Sequence, residues 1–413
     1  MPASAVDDLC RSYLDLKYHF DPASASAAGS VAHDCRVGSF DEESVRAHLA
    51  ALRSLTGAVE ELEPEELYHE IDRTALLGEM RATIFRLEHE RPHVRNPAFW
   101  LSHLLQGLYA LLSRQEPDFP SRVPAVLARL EAVPAFDLAR ESIDDPPAVF
   151  VDSTLSMLGG GGHLIAELVG AFAGAAPVTA GPLKKAGEAA LQALVCFGAA
   201  LRDKIEPSSD PHAFAIGEDQ FNRRLHHEHA LMSGGPELWR YGLSLQEEVT
   251  AEIVALAARL DRRPWREVVD ELRNDAPPAD DLLASYRREI DRANNFVLEY
   301  DLVTMPEAPL DVVPTPPFLA PLVPFAAYEP PPIYLADRTG RFYVTPPDPT
   351  LPREVFEQQR RGHCTYVIPS MAIHEAYPGH HLQMVGAQGL ASEVRRHIGV
   401  PSWWRGGQCT RSS

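Results

Sequence analysis

Apolar residues recur at intervals of three and four along most of the first three hundred positions. In DEESVRAHLAALRSLTGAVEELEP (41–64) acidic residues open the segment and the leucines and valines follow at helical spacing. PAFWLSHLLQGLYALLSR (97–114) is more apolar all round, which predicts a helix inside the core. Proline and glycine punctuate the segments. The pattern predicts a mainly α fold, with residues 1–304 forming a helical region.

The pattern changes near residue 305. Residues 305–352 contain fourteen of the thirty-six prolines, a density that rules out a long helix and predicts extended segments. Within them a turn signal, Thr339-Gly340, precedes aromatic and β-branched residues, so we expect a short strand over 341–345. A linker between two domains is the alternative, but the leucines and aromatics favour burial. Helical spacing returns over 353–402, and we treat 403–413 as an aberrant tail.

Composition narrows the function classes. The formal net charge of −20 and the pI near 5.3 argue against nucleic-acid binding and against docking on anionic membranes. The first twenty residues lack a basic and apolar leader, and we expect the longest apolar run, 164–178, to be a buried helix. Five scattered cysteines are typical of a reducing compartment. These features predict a cytoplasmic protein, of unknown oligomeric state.

The segment AIHEAYPGHHLQ (372–383) carries the candidate chemistry. It places His374, Glu375, His380 and His381 within eight positions. A zinc hydrolase needs two imidazoles on one metal and a carboxylate that takes a proton from water, which H-E-x-x-H supplies on one helical face. Here the second histidine comes at i+6 or i+7. On a straight helix, His380 at i+6 would lie about 240° round the axis from His374. His381 at i+7 would return to the same face but would lie about 10.5 Å further along the axis.

Pro378 and Gly379 make this spacing tolerable. Pro378 lacks the N–H that would bond the carbonyl of His374, so the helix must open there, and glycine accepts unusual backbone geometry. A broken turn can then bring a later histidine back to His374, with Glu375 facing the same cleft. The alternative is a set of exposed histidines on a broken helix. The apolar flanks favour burial and a metal, for which we expect zinc (Zn2+).

These residues resemble the bacterial family called domain of unknown function 885, grouped with the thermolysin-like (gluzincin) metallopeptidases. Supporting matches are AIGEDQFNRRL (215–225), FAAYEPPP (325–332) and GRFYVTP (340–346). The resemblance implies a large helical zincin-like fold with a short β element beside the active-site helix. It also implies zinc held by two histidines and a downstream glutamate. Alignment with Gly-His-x-Leu of related peptidases favours His380 as the second ligand, with His381 as the alternative.

The sequence departs from that family where the third ligand is expected. The family pattern there is Glu-Gly-Trp-Ala-x-Tyr, whereas this chain reads VPSWWRGGQCTRSS. With suitable synonymous codons, the stretch from Trp403 encodes Val-Glu-Gly-Trp-Ala-Met-Tyr in another frame. We therefore expect a frameshifted, truncated chain with an incomplete metal site. Glu393, the remaining acidic residue after the motif, is expected to lie on a solvated helix face.

Other candidates are weaker. RLHHEHAL (224–231) contains His226, His227, Glu228 and His229, for which we expect a surface or supporting role. The four glycines at 159–162 lack the Lys-Ser/Thr of a phosphate loop and predict a turn between helices. Tyr343, on the expected strand, is a candidate substrate-binding residue if that strand is an edge that pairs with an extended peptide.

The function predicted by these features is that of a zinc metallopeptidase-like hydrolase. Zinc and Glu375 would activate a water molecule against a peptide or small amide substrate. Two alternatives stay open: a non-catalytic helical remnant or scaffold, and a hydrolase of small-molecule amides or esters in the same fold.

Overall fold

A computed structural model describes residues 4–64, 66–114, 116–133 and 136–399. It is 67% helical, so the prediction of a mainly α fold is confirmed. In the described residues, fourteen α-helices precede the sheet: α1 Ala5–Phe20, α2 Pro22–Ala27, α3 Glu42–Glu60, α4 Leu67–Phe85, α5 Pro92–Arg95, α6 Pro97–Ser113, α7 Phe119–Ala132, α8 Phe136–Ser142, α9 Ala148–Ala175, α10 Ala180–Asp203, α11 Glu218–His229, α12 Gly235–Leu260, α13 Trp265–Leu272 and α14 Leu282–Glu299.

Three strands and four helices complete the described chain. They are β1 Leu310–Pro314, β2 Ala326–Glu329, β3 Gly340–Val344, α15 Arg353–Gly362, α16 Ile368–Glu375, α17 His380–Gln388 and α18 Glu393–His397. Several helices begin after a residue whose side chain accepts a hydrogen bond from a backbone N–H group of the first turn. Asp41 accepts from the N–H of Ser44 at the start of α3, and Asn96 accepts from that of Ala98 at the start of α6.

The largest core cluster is formed mainly by α6, α7, α9 and α10. Leu105 of α6, Phe172 of α9 and Phe197 of α10 are fully buried in it. The glycines 159–162 lie inside α9, so the predicted turn between helices is wrong. A Cβ on Gly160 would come within 2.5 Å of the backbone of Phe318, which shows that glycine lets the proline-rich segment pack directly on this helix.

Helix α9 also has the length and apolar composition that a membrane span requires. One of its faces lies in the main core cluster, against α6 and α10. The predicted buried helix at 164–178 corresponds to the second half of α9 and the turn after it. Burial of one face is what a core helix of a globular protein needs, and it accounts for the apolar run without a membrane.

A second cluster joins the two ends of the described chain. Val394 and Ile398, in and just after α18, pack with residues of α1, α3 and α4. Arg395 of α18 donates to Asp72 of α4 at 2.7 Å, and Ser392 donates to the same carboxylate. The segment that follows the histidine motif therefore returns to the N-terminal helices.

The sheet has the strand order β1-β3-β2, with β1 parallel and β2 antiparallel to β3. The predicted strand over 341–345 is β3, one residue earlier than expected, and it lies in the centre. It is therefore not an edge strand; β1 and β2 form the two edges of the sheet. Phe342 and Val344 of β3 pack with Ala372 and Ala376, so the sheet supports α16 and the motif that it carries.

Candidate metal centre

The histidine motif is divided between two helices. Helix α16 ends at Glu375, and the N–H of Ala376 makes its last bond, to the carbonyl of Ala372 at 2.9 Å. Residues 376–379 form a turn in which the Tyr377–Pro378 peptide bond is cis, and α17 begins at His380. The break that Pro378 predicted is therefore present, directly after the first histidine-glutamate pair.

Gly379 permits the close turn. A Cβ at this position would lie 1.9 Å from the carbonyl oxygen of His374 and 2.3 Å from that of Ile373. Both are backbone atoms, which cannot move aside as a flexible side chain would. Only glycine lets the chain fold back against the end of α16, and this places His380 beside His374.

His374, Glu375 and His380 form one compact group. The imidazole rings of His374 and His380 lie 5.1 Å apart between centroids and are nearly perpendicular. Nε2 of His380 lies 3.9 Å from Oε2 of Glu375, and one ligand atom from each of the three residues falls within 4.8 Å of the others. Within the described ranges, this is the one group of three or more such side chains close enough to hold a metal.

His381 points elsewhere. It is fully buried, its Nε2–H donates to the carbonyl of Ala308 at 3.2 Å, and its Nδ1 accepts from the hydroxyl of Tyr328 at 3.0 Å. Burial lowers the pKa of His381, which keeps the ring neutral, as this pattern of one donor and one acceptor requires. With both nitrogens engaged, His381 supports the turn and leaves His380 as the residue beside His374.

Tyr328 of β2 links the sheet to both histidines. Its ring lies nearly parallel to that of His380, 6.4 Å away between centroids, and its hydroxyl is the partner of His381. Burial raises the pKa of Tyr328, so the hydroxyl keeps its proton and can donate. Sequence reasoning did not single out Tyr328, although FAAYEPPP contains it.

Comparison with known proteins now identifies the family. Residues 22–404 match the family described as bacterial protein of unknown function (DUF885). The chain belongs to the DUF885 family. The predicted resemblance to this family is thereby confirmed, and no curated protein matches the chain.

Two solved structures share the fold of this DUF885 protein. One is a putative lipoprotein of unknown function from Shewanella oneidensis, with a TM-score of 0.73 and 20% identity. The other is a putative lipoprotein from Colwellia psychrerythraea, with a TM-score of 0.74 and 12% identity. Each match covers 98% of this chain and 76% of the other chain. At these identities the likeness establishes the fold alone.

Tyr343, predicted to bind substrate, lies on the other face of the sheet in this DUF885 chain. Its hydroxyl donates to the carboxylate of Glu329 and lies 2.7 Å from the hydroxyl of Tyr109 on α6. Burial raises the pKa of Tyr343. Because its neighbour Phe342 packs toward α16, Tyr343 faces the helical bundle and is not brought to the histidines.

The remaining candidates do not join the group. Glu393 begins α18 and is half-buried rather than solvated, with Nη1 of Arg11 at 3.4 Å and Nε2 of His397 at 3.5 Å. The 226–229 cluster lies on α11, which packs against α4. Residues 403–413, on which the expected loss of a third ligand rests, lie outside the described residues.

Proposed function

We propose that this DUF885 protein is a zinc metallopeptidase-like hydrolase whose site is formed by His374, Glu375 and His380. The observation that carries the proposal is the approach of these three side chains across the turn at 376–379. Two imidazoles and an adjacent carboxylate are what zinc hydrolases use, and Glu375 directly follows the first histidine as their mechanism requires.

The donor set fits zinc. Two nitrogens that share a tetrahedral zinc at about 2.1 Å lie about 3.4 Å apart. The 4.8 Å limit on the separations within the group allows this after a small side-chain rotation. His374 and His380 would hold the metal. When bound, zinc would lower the pKa of a coordinated water and polarise the substrate carbonyl.

Glu375 is the group that moves the proton. It ends α16, half-buried, with Oε2 facing His380. We assign it the role of general base: Oε2 takes a proton from the attacking water and later delivers it to the leaving amine. Its position next to His374 in the chain would keep it beside a bound metal, where it would act as the base and not as a ligand.

Within the described residues no strand pairs with the outer edge of β2, and this edge is suited to orient an extended peptide. Thr345 N–H bonds Phe325 O at 2.8 Å, so by the alternation of an antiparallel pair the backbone groups of Ala326 and Tyr328 point away from β3. Strand β2 also packs against α16. A peptide paired along β2 would therefore run beside Tyr328 and His380. This moves the proposed substrate edge from β3 to β2.

The site as described lacks a third protein ligand, since no further carboxylate, cysteine or histidine of the described residues joins the group. We propose that, with suitable synonymous codons, the other reading frame after Ser402 encodes a glutamate that would be the third ligand. The protein would then resemble the gluzincins in its ligand set.

The two solved neighbours, as putative lipoproteins, favour a location outside the cytoplasm for this chain too, against the prediction from composition.

The test compares this chain with the chain in which the other frame is restored after Ser402. We expect the restored protein to bind zinc and to cleave members of a mixed peptide library, and the chain as given to be inactive. A restored protein that is folded, zinc-loaded and inert on peptides would contradict the peptidase function. Cleavage of an amide or ester panel instead would favour the small-molecule alternative. Comparable peptide cleavage by the chain as given would contradict the proposal that this chain lacks a third ligand.

A further inference from the structure

A cavity of about 300 Å³ lies among α1, α3, α4 and α6. It is lined by residues between 13 and 103 and by none of the histidine motif, so it is separate from the metal group. Its volume is at the lower end of the range usual for small-molecule sites, about 300–1,000 Å³. One wall is aromatic: the ring centroid of Phe40 lies 5.2 Å from that of Phe20 and 4.8 Å from that of Phe99. The cavity can therefore hold the apolar body of a small molecule.

His48 of α3, which lines this cavity, points to a bound molecule. It is 8% exposed, and its ring stacks on that of Phe20, 4.0 Å away between centroids and 6° from parallel. Burial lowers the pKa of His48 to about 4, so the ring is neutral and offers one N–H donor and one acceptor nitrogen. Among the described residues neither nitrogen has a hydrogen-bond partner. Because buried polar groups are nearly always bonded, this ring indicates that a molecule in the cavity supplies the partner.

Two cations that line the cavity are paired with carboxylates. Lys17 donates to Glu79 at 3.1 Å. Nε2 of His103 lies 3.5 Å from Oδ2 of Asp21, and its Nδ1–H donates to the carbonyl of Phe99 at 2.6 Å. Burial opposes a charge on His103, but the Asp21 carboxylate raises its pKa, and an acceptor beside each nitrogen suits the imidazolium. The charges of these two pairs cancel.

Arg86 gives the cavity one positive charge in excess. It directly follows α4, lines the cavity and is itself exposed. Within the described residues no carboxylate lies within 4 Å of its guanidinium, and the nearby Glu79 is already bonded to Lys17 and to the hydroxyl of Tyr13. No further charged side chain of the described residues lines the cavity. The sum of one positive charge favours an anion over a cation.

We propose that this cavity binds a small aromatic monocarboxylate. Its ring would lie against the aromatic wall formed by Phe20, Phe40 and Phe99. Its carboxylate would accept the N–H of His48 and be attracted by Arg86. An amine of the same size would leave the N–H of His48 unbonded and would add to the positive charge. The proposal does not depend on the zinc site.

The test is an isothermal titration of the intact chain at pH 7.5 with benzoate, phenylacetate and 3-phenylpropanoate, and with the matched amide and amine of each. We expect at least one carboxylate to bind at least tenfold more tightly than its amide and its amine. Carboxylates that bind no more tightly than their amides, or an amine that binds most tightly, would overturn the proposal. So would a failure of all nine compounds to bind, since ordered water would then be the partner of His48.

Substitutions locate the binding in this cavity. His48→Leu should weaken carboxylate binding at least tenfold and leave the chain at least as stable to urea, because it removes a buried polar group that has no protein partner. Arg86→Gln should weaken binding at least threefold, and since Arg86 is exposed, circular dichroism should show the same fold. Arg81→Gln removes the same charge from α4 outside the cavity and should leave binding within twofold. Unchanged binding in His48→Leu or Arg86→Gln, or an equal loss in Arg81→Gln, would overturn the proposal.

Discussion

Two segments of this molecule offer the same side chains and arrange them differently. Residues 226–229 and residues 374–381 each contain three histidines and one glutamate. The first segment ends the continuous helix α11, and the second is divided between α16 and α17. Only the second forms a group that could hold a metal among the described residues.

On the continuous helix α11 the histidine side chains point apart, and the glutamate is bonded to an arginine. Successive residues turn by about 100°, so His226 and His227 point in different directions although their rings are 5.3 Å apart. Glu228 accepts two bonds from Arg224, one turn earlier on the same helix, at 3.0 and 3.2 Å. Composition alone therefore does not gather these side chains into one group. In this chain the break between α16 and α17 lets three of them approach one another.

The largest expected effect concerns the glutamate of each segment. In the frame-restored protein, Glu375→Gln should lower peptide turnover by about 10²- to 10⁴-fold, because it keeps the shape but removes the base. The matched change Glu228→Gln should leave turnover within about twofold, as it weakens the ion pair with Arg224 on α11. Rates measured at saturating zinc would decide. An equal loss of turnover in both variants would contradict the different roles assigned to the two segments.

The turn itself can be broken at Gly379. Gly379→Ala should cost several kcal/mol of folding stability or open the turn, because its Cβ meets the His374 carbonyl at 1.9 Å. Zinc affinity should fall at least tenfold. Gly386→Ala in α17 is the control, since its Cβ meets no atom within 4 Å, and alanine there should be neutral or stabilising by up to about 1 kcal/mol. Denaturant unfolding with zinc titration checks both, and a harmless Gly379→Ala would contradict the account of the turn.

Substitution of His381 distinguishes a supporting role for this residue from a role as a metal ligand. His381→Phe should destabilise the fold by about 1–3 kcal/mol, because the carbonyl of Ala308 and the hydroxyl of Tyr328 lose their partner. The apparent zinc affinity of the folded variant should stay within about threefold. Stability and zinc binding measured on the same sample test this. A large loss of zinc binding without a loss of stability would make His381 the ligand.

The burial of His381 also predicts a smaller effect, a dependence of the free energy of unfolding on pH. Burial lowers the pKa of His381 in the folded chain below the value near 6.5 expected when unfolded. Below pH 6.5 the unfolded chain therefore binds more protons, and the free energy of unfolding should decrease as the pH falls toward the lowered folded pKa. Urea unfolding at pH 7.5 and 5.5 should show a smaller decrease for His381→Phe than for the original chain.

The helix break could be predicted from the residues, because Pro378 lacks the N–H that α16 would need to continue. Sequence also predicted the strand β3, from its aromatic and β-branched run. The role of His381 could not be predicted, since it depends on Ala308 and Tyr328, which are 73 and 53 residues away. Nor could the central place of β3, because pairing on both sides is set by β1 and β2.

Glycine was the residue type that sequence reasoning interpreted least well. The run at 159–162 predicted a turn, but Gly160 lies in the middle of α9, where its missing side chain makes room for Phe318. Gly379, by contrast, does lie in a turn. Both are positions of close backbone approach, and only the tertiary structure distinguishes them.

The most direct test of the central claim is a zinc titration of this chain and of two double variants. We expect one zinc to bind weakly to each chain. This binding should be lost in His374→Ala with His380→Ala and unchanged in His226→Ala with His229→Ala. Isothermal titration with circular dichroism as a check on folding would measure it. Zinc binding that survives the first pair of substitutions, or disappears with the second, would contradict the claim that the broken turn builds the metal site.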